Sequence, residues 1–306
     1  MKRLVRALVR GSTHANTGPN PRSNPRLRFV GWVLAYAVLT VACLWSLVAA
    51  DDLSLGRQPW RNLQKTAVEF AHPSFLNAWN GNPRLEYRSD DGTVLRVEDE
   101  RLMERRFLAS LAEATWATVK IATLGSLLAA LIALPLGLLS ARNLGAPRLL
   151  QRAVTALLNA SRAIHTLVFG LVFVGIMGLG STAGLLAIAA HSLGTYGKLY
   201  AESIETLDMG AIDAVRAVGS SPMQVFFIAV WPAVLPQLMS SHLYIWEYNI
   251  RDATILGMVG AGGLGLLISE AVSLFQWDRL ATTLLVVILL VTLFDAGSRR
   301  VRKALQ

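Results

Sequence analysis

Asp213-Ala214-Val215-Arg216-Ala217-Val218-Gly219-Ser220-Ser221-Pro222-Met223-Gln224 is a short, largely polar stretch set between two apolar blocks, residues 182–200 and 225–246. Residues 213–218 suit a helix, and Gly219 suits the left-handed position that follows a helix C-terminus. Ser221 then reads as an N-cap, Pro222 takes the first helical position, and Gln224 stands three residues past the cap. That is a capping box, with its proline where the missing N–H has no helical partner anyway. The stretch predicts a short helix, a tight glycine turn and a new helix leading into the next apolar block. Such a unit is stiff, because both helix ends satisfy their own backbone groups. With small side chains at Ala214 and Ala217, it can seat in another protein's groove and pass motion on as a lever. The plainer alternative is a well-capped loop between two spans.

The surrounding blocks set the fold class. A helix needs about 20 mostly apolar residues to cross a bilayer core. Candidates are 29–50, 114–139 (interrupted by Pro135), 154–179, 182–200, 225–246, and 280–294 with its flanks. A shorter stretch, 253–268, carries Gly257, Gly260, Gly262, Gly263 and Gly265 and reads as re-entrant or membrane-edge structure. Glycine-rich backbone at membrane depth has to pack in protein or line a cavity. The expectation is an all-α membrane protein of about six transmembrane helices. Composition agrees: 53% of the 306 residues are hydrophobic and 16% charged, and mean hydropathy is +0.45. These values exclude a disordered chain and argue against an ordinary soluble two-domain enzyme. Cys43 is the single cysteine, so an intrachain disulfide and a cysteine-based zinc or iron–sulfur site are excluded.

Charge orients the spans. The first 28 residues carry Lys2, Arg3, Arg6, Arg10, Arg22, Arg26 and Arg28 and no acid. The tail carries Arg299, Arg300, Arg302 and Lys303, again without acid. By the positive-inside rule both ends are expected in the cytoplasm, which requires an even number of spans. The net charge of +9 therefore belongs to membrane topology and anionic lipid, not to nucleic acid. The expected organisation is a basic cytoplasmic arm over 1–28 and a first transmembrane helix over 29–50. An extracytoplasmic loop over 51–107 comes next, then a core with five transmembrane helices over 108–298 and a basic tail over 299–306. Residues 29–50 are longer than a signal-peptide core and read as an uncleaved anchor. Within the outer loop, 85–89 and 94–98 alternate around Asp90-Asp91-Gly92-Thr93, the pattern of a β-hairpin. This loop is either a docking surface for an outer partner or a solvated insertion.

The elbow carries a resemblance. Asp213-Ala214-Val215, three residues, Gly219 and, thirteen residues later, Pro232 resemble the EAA loop of binding-protein-dependent ABC importer permeases. In that loop the order is Glu-Ala-Ala, three residues, Gly, nine residues, Ile, one residue, Leu-Pro. Asp213, Val215, Ala229 and Trp231 depart from it, while the glycine and proline keep their spacing. Gly197-Lys198-Leu199-Tyr200-Ala201-Glu202, Asn249-Ile250-Arg251-Asp252-Ala253, Leu134-Pro135-Leu136 and Val259-Gly260-Ala261-Gly262-Gly263 look like the phosphonate-type permeases, the PhnE family. The resemblance runs from about residue 114 to the C-terminus.

It implies a type I ABC importer permease with a cytoplasmic coupling helix and a small extracytoplasmic insertion, in a bacterial inner membrane. Asp213, Ala214, Val215, Arg216, Ala217 and Gly219 would couple it to its motor. The implied partners are two cytoplasmic ABC ATPase subunits, which bind ATP and Mg, an extracytoplasmic binding protein and a second permease chain, expected to be identical. The implied cargo is a phosphonate or a related phosphorus oxyanion such as phosphite, hypophosphite or phosphate. The family more often has Pro-Glu where this chain has His165-Thr166.

Other motifs carry less. Gly260-x-Gly262-x-x-Gly265 fits the dinucleotide fingerprint by spacing but lies between membrane spans, without the strand, helix and distant acid that fingerprint needs. Close backbone packing at an outer gate, at Gly260, Gly262 and Gly263, is the physical reading. Gly197-Lys198 lacks the Ser/Thr and first glycine of a P-loop, so no ATPase site, and no cofactor, is expected in this chain. The histidines His14, His72, His165, His191 and His242 show no metal-ligand spacing. Charges at membrane depth are functional candidates because they cost roughly 2.5–3.5 kcal/mol each at a helix centre. Arg162 and His165, and Arg251 beside Asn249, are expected to line a passage or gate, since arginine's planar fork suits phosphorus oxyanions. The alternative for Arg251 is a structural pair with Asp252 or Glu247. A secondary transporter, reading 253–268 as a broken helix at a substrate site, and a membrane-embedded enzyme are the remaining function classes. The first lacks a visible inverted repeat and the second a catalytic constellation.

Overall fold

The computed structural model describes residues 25–50, 58–89, 93–144 and 146–305. The basic arm before Pro25 and the Asp90-Asp91-Gly92 turn of the expected hairpin lie outside them. Residues 1–63 and 64–306 form two units. The first contains helix α1, Pro25–Ala49, apolar from Phe29 onward, with Trp32, Tyr36, Leu39 and Trp45 all exposed. An amphipathic α2, Pro59–Phe70, follows.

In the second unit, which begins within α2, a 3-10 turn, Ser74–Leu76, leads to a single helical turn α3, Asn77–Asn80. Strands β1, Leu85–Arg88, and β2, Val94–Glu98, then pair antiparallel, with Leu85 opposite Glu98. They lie where the alternation predicts them. This small insertion is fastened to the helices by polar contacts. Ser74 Oγ and Thr282 Oγ1 are 3.1 Å apart, Phe75 N donates to the same Thr282 oxygen, and Arg105 Nε donates to the Ala78 carbonyl at 3.2 Å.

Helix α4, Glu100–Ser140, is capped by Asp99, which accepts from Leu102 N. At 41 residues it is roughly 60 Å long. The block 154–179 departs from the expected single span. It forms α5, Arg148–Ala163, and α6, Thr166–Met177, bent by 89° at the break. His165 causes the break. Its backbone is extended and its Nδ1 accepts from Leu167 N at 3.2 Å, capping the new helix. The Ile164 carbonyl, outside either helix, is taken by the His191 ring at 2.8 Å.

Helix α7, Ser181–Glu205, leads to the elbow, α8 (Met209–Ala217) and α9 (Pro222–Val225). A π turn over Phe226–Val230 joins α9 to α10, Trp231–Leu256. Pro232 has no N–H to donate one turn back, and the wider turn sits at that gap. A second π turn, Gly257–Ala261, and the Gly262-Gly263 link connect α10 to α11, Leu264–Ser273, and α12, Trp277–Leu305, closes the chain.

Helices α4, α7 and α10 make the core. Ala129 and Ala133 pack with Tyr196, Tyr200, Leu238 and Ile245 toward the elbow. Ile121, Ala122, Ile188, Ile250 and Leu264 pack at the other end. Small residues let these backbones approach, as membrane helices require. By length and apolarity, α1, α4, the continuous α9–α10 rod and α12 can each cross a bilayer, and the bent α5–α6 pair makes a fifth. The sixth expected span is α7. It is long enough, but it carries His191, Ser192 and Lys198 and is largely enclosed by its neighbours.

Candidate functional site: a capped elbow and the charges at membrane depth

The elbow is rigid for the reasons its sequence gives. Ser221 Oγ accepts from Gln224 N at 3.4 Å, and Gln224 Oε1 accepts from Ser221 N at 2.8 Å, with Pro222 at the first helical position. Gly219 has φ +82° and donates its N–H to the Arg216 carbonyl at 2.9 Å. Helix α8 begins earlier than expected, at Met209, because Asp208 caps it by accepting from Gly210 N at 2.9 Å.

Ile212 is buried against Val225 and Val230, with Val215 packed on the same cluster. Asp213, Ala214, Arg216 and Ala217 are exposed, and Val218 is 81% exposed. Asp213 and Arg216 pair along the helix at 3.2 Å. The α4–α5 loop braces the elbow from the side. Arg142 N donates to Glu205 Oε1 at 3.0 Å, and Asn143 Nδ2 donates to the Ile204 carbonyl at 2.7 Å. Helix α8 itself packs on the start of the α9–α10 rod through Ile212, Val225 and Val230, and Met209 Sδ lies 3.6 Å from Asn143 Nδ2 of the same loop.

The candidate passage residues fall into three places. Asn249 is buried, and its Nδ2 donates to Ser126 Oγ at 2.7 Å and Ser192 Oγ at 2.9 Å, joining α10 to α4 and α7. Arg251 pairs with Glu247, which Arg302 also approaches at 3.6 Å. Its groove, about 470 Å3 between α10 and α12, is lined by Ile255, Met258, Ile288 and Val291. Arg162 and His165 stand exposed at the α5–α6 break, with the His165 and His191 rings 6.3 Å apart. The structure thus separates Arg251 from Arg162.

Gly260, Gly262 and Gly263 have φ of +95°, +81° and +74°, and they let the chain double back between α10 and α11. The turn is held by Gly180 N donating to the Gly260 carbonyl at 3.0 Å and Leu264 N donating to Thr118 Oγ1 at 2.8 Å. Two features escaped the sequence reading. Asp252 is buried and accepts from Thr166 Oγ1 at 2.6 Å, although its position beside Arg251 was the visible signal. Lys198 lines a polar cavity, which neither its place in an incomplete P-loop pattern nor its place in the family-like stretch 197–202 announces. Among the described residues no three His, Cys, Asp or Glu side chains converge as metal ligands.

Residues 133–306 match the family described as binding-protein-dependent transport system inner membrane component. The chain is 42% identical over 185 residues to a putative phosphite transport system permease protein, HtxC, of Stutzerimonas stutzeri, a match covering 60% of this chain and 66% of that one. It is 40% identical over 186 residues to the phosphite transport system permease protein PtxC of the same organism, covering 61% and 68%. The matched stretch thus spans about two thirds of the length of these relatives. Among solved structures, a chain of the inward-facing MetNI methionine ABC transporter superposes with a TM-score of 0.59 at 23% identity, covering 66% of this chain and 98% of that one.

Proposed function

The chain belongs to the binding-protein-dependent transport system inner membrane components, the permease subunits of ABC importers, and on that premise we propose that it forms half of the membrane path of an importer for phosphite or a related phosphorus oxyanion. It is a transport subunit and not a catalytic enzyme. Two copies pair, and each seats α8 in a cytoplasmic ATPase that binds ATP and Mg. An extracytoplasmic binding protein delivers the anion. Both termini face the cytoplasm of a bacterial inner membrane, as the basic Arg299, Arg300, Arg302 and Lys303 favour. Alternating access follows if nucleotide state biases two arrangements of the helices.

The observation that carries this reading is the exposed face of α8 on a braced, self-capped elbow. A helix with two small alanines and an exposed Val218 at its end fits a groove, and Ile212 anchors it from behind. The relatives' phosphite names support the cargo, as does the supply of arginine and lysine at the helix faces. The test is purification through a tag on this chain after co-expression with the ATPase. The ATPase should co-elute, and hydrolysis should rise when phosphite-loaded binding protein is added. A chain that purifies alone and carries phosphite without nucleotide contradicts the reading and favours a secondary transporter.

A further inference from the structure

Helices α5 and α7 pack backbone to backbone. A methyl group on Gly194 would come within 2.7 Å of Arg162 N. Beside that seam lies an open polar furrow of about 600 Å3, with Arg152 and Asn159 on one wall and Lys198 and Glu202 on the other. Arg152, Asn159 and Arg162 are seven and three residues apart, which places them on one face of α5. His191, Lys198 and Glu202, seven and four apart, share a face of α7 in the same way. The furrow is lined from Asn159, one turn short of the α5–α6 break, down to the elbow end, where Arg142 and Glu205 close it, and Arg162 stands on the same face of α5 just beyond its Asn159 end.

The charges in it are unequal. Lys198 is held by Glu202 at 3.5 Å, and Arg142 by Glu205 at 3.9 Å. Arg152 and Arg162 have no carboxylate partner among the described residues. Arg162, in the last turn of α5 at the break of a bent span, does not face lipid without large cost if it lies at membrane depth, so this face meets water or another polar surface. The groove of Arg251 is the opposite case. Its arginine is already paired with Glu247, and its other walls are mostly aliphatic.

We propose that the α5–α7 furrow is this chain's half of the anion path, and that Arg162, Lys198 and Arg152 contact the passing phosphorus oxyanion in turn. The proposal rests on the reading of the chain as a permease for such an anion. Arg162 offers its free guanidinium first. Lys198 lies about 6 Å further along, from the helical rise between it and Gly194, which packs on Arg162, and exchanges Glu202 for the anion. Arg152 and the elbow mouth release it. Several modest sites in series let an ion enter and still leave. The furrow is open on one side, so a facing polar wall has to complete it. A second copy of this chain supplies one by two-fold symmetry.

The single Cys43 makes the test practical. In a Cys43→Ser background, single cysteines replace Asn159 or Lys198 in the furrow, Arg162 just beyond its Asn159 end, and Ile288 or Val291 in the Arg251 groove. The complete importer in membranes is treated with a charged methanethiosulfonate, and phosphite uptake is measured in parallel on Arg162→Gln and Arg162→Lys. The furrow cysteines should react and be protected by phosphite, while the groove cysteines stay inert. Arg162→Gln should lower uptake about tenfold, the loss of one charge-assisted contact, and Arg162→Lys should restore part of it, with ATPase co-purification unchanged. Labelling of the groove and not the furrow overturns the proposal, and so does full uptake by Arg162→Gln. If the wild type carries no phosphite, the cargo reading fails, while the labelling pattern still decides the furrow.

Discussion

Thr166 Oγ1 donates to Asp252 Oδ2 at 2.6 Å, and both residues are buried. The bond ties the first residue of α6 to α10 one turn before its π turn. The half-helix beyond the α5–α6 break is thereby pinned next to the glycine-rich fold-back. Thr166→Val should lower stability by about 2–3 kcal/mol, because a buried carboxylate loses its hydroxyl donor. Thr166→Ser should keep nearly all of it. The midpoint of thermal unfolding in detergent, measured on both variants, checks this.

Asn249 holds three helices at one point through Ser126 and Ser192. Asn249→Leu fits the space but deprives both hydroxyls of their amide partner. The expected loss is again about 2–3 kcal/mol, since buried polar networks fail together. A double-mutant cycle with Ser192→Ala should show strong coupling, and additive losses would count against a shared clamp.

Arg279 and Glu104 fasten α12 to the start of α4. Arg279 Nη2 is 2.7 Å from Glu104 Oε1, and its guanidinium lies over the Phe107 ring at 5.1 Å. Glu104 is almost fully buried, and its Oε2 has no hydrogen-bond partner among the described residues. Arg279→Met alone should cost about 3 kcal/mol, because it strands a buried charge. Arg279→Met with Glu104→Leu should recover most of that loss. Unfolding midpoints of the two variants read the difference.

The elbow can be loosened without touching the core. Gly219→Val places a β-branched residue at φ +82°, a strain of about 1–2 kcal/mol. Ser221→Ala removes the cap for about 1 kcal/mol. Both variants should insert normally but carry less phosphite per ATP hydrolysed. An unchanged transport-to-hydrolysis ratio would show that elbow stiffness does not matter.

These positions differ in how openly the sequence announced them. Ser221-Pro222-Met223-Gln224 and Gly219 are local codes, satisfied within a few residues, and they read through directly. The hairpin strands did too, because alternation is local. The start of α8 at Met209 is hard to see in the sequence because Gly210, a poor helix former, masks the cap at Asp208. The break at His165 was hidden because one capping histidine inside a long apolar block leaves the average apolarity unchanged. The Thr166–Asp252, Asn249–Ser126 and Glu104–Arg279 contacts join residues far apart in the chain. No spacing rule reaches that far, so their roles appear only once α4, α7, α10 and α12 are packed.

On the function proposed above, α8 is where an ATPase grips this chain. A photo-crosslinking amino acid at Val218, whose side chain projects from the elbow, tests it most directly in the assembled importer. The expected product is an adduct with the nucleotide-hydrolysing subunit, whose yield changes between ATP-bound and nucleotide-free states. Adducts only with the outer binding protein, or none with an ATPase that nevertheless co-purifies, would contradict it.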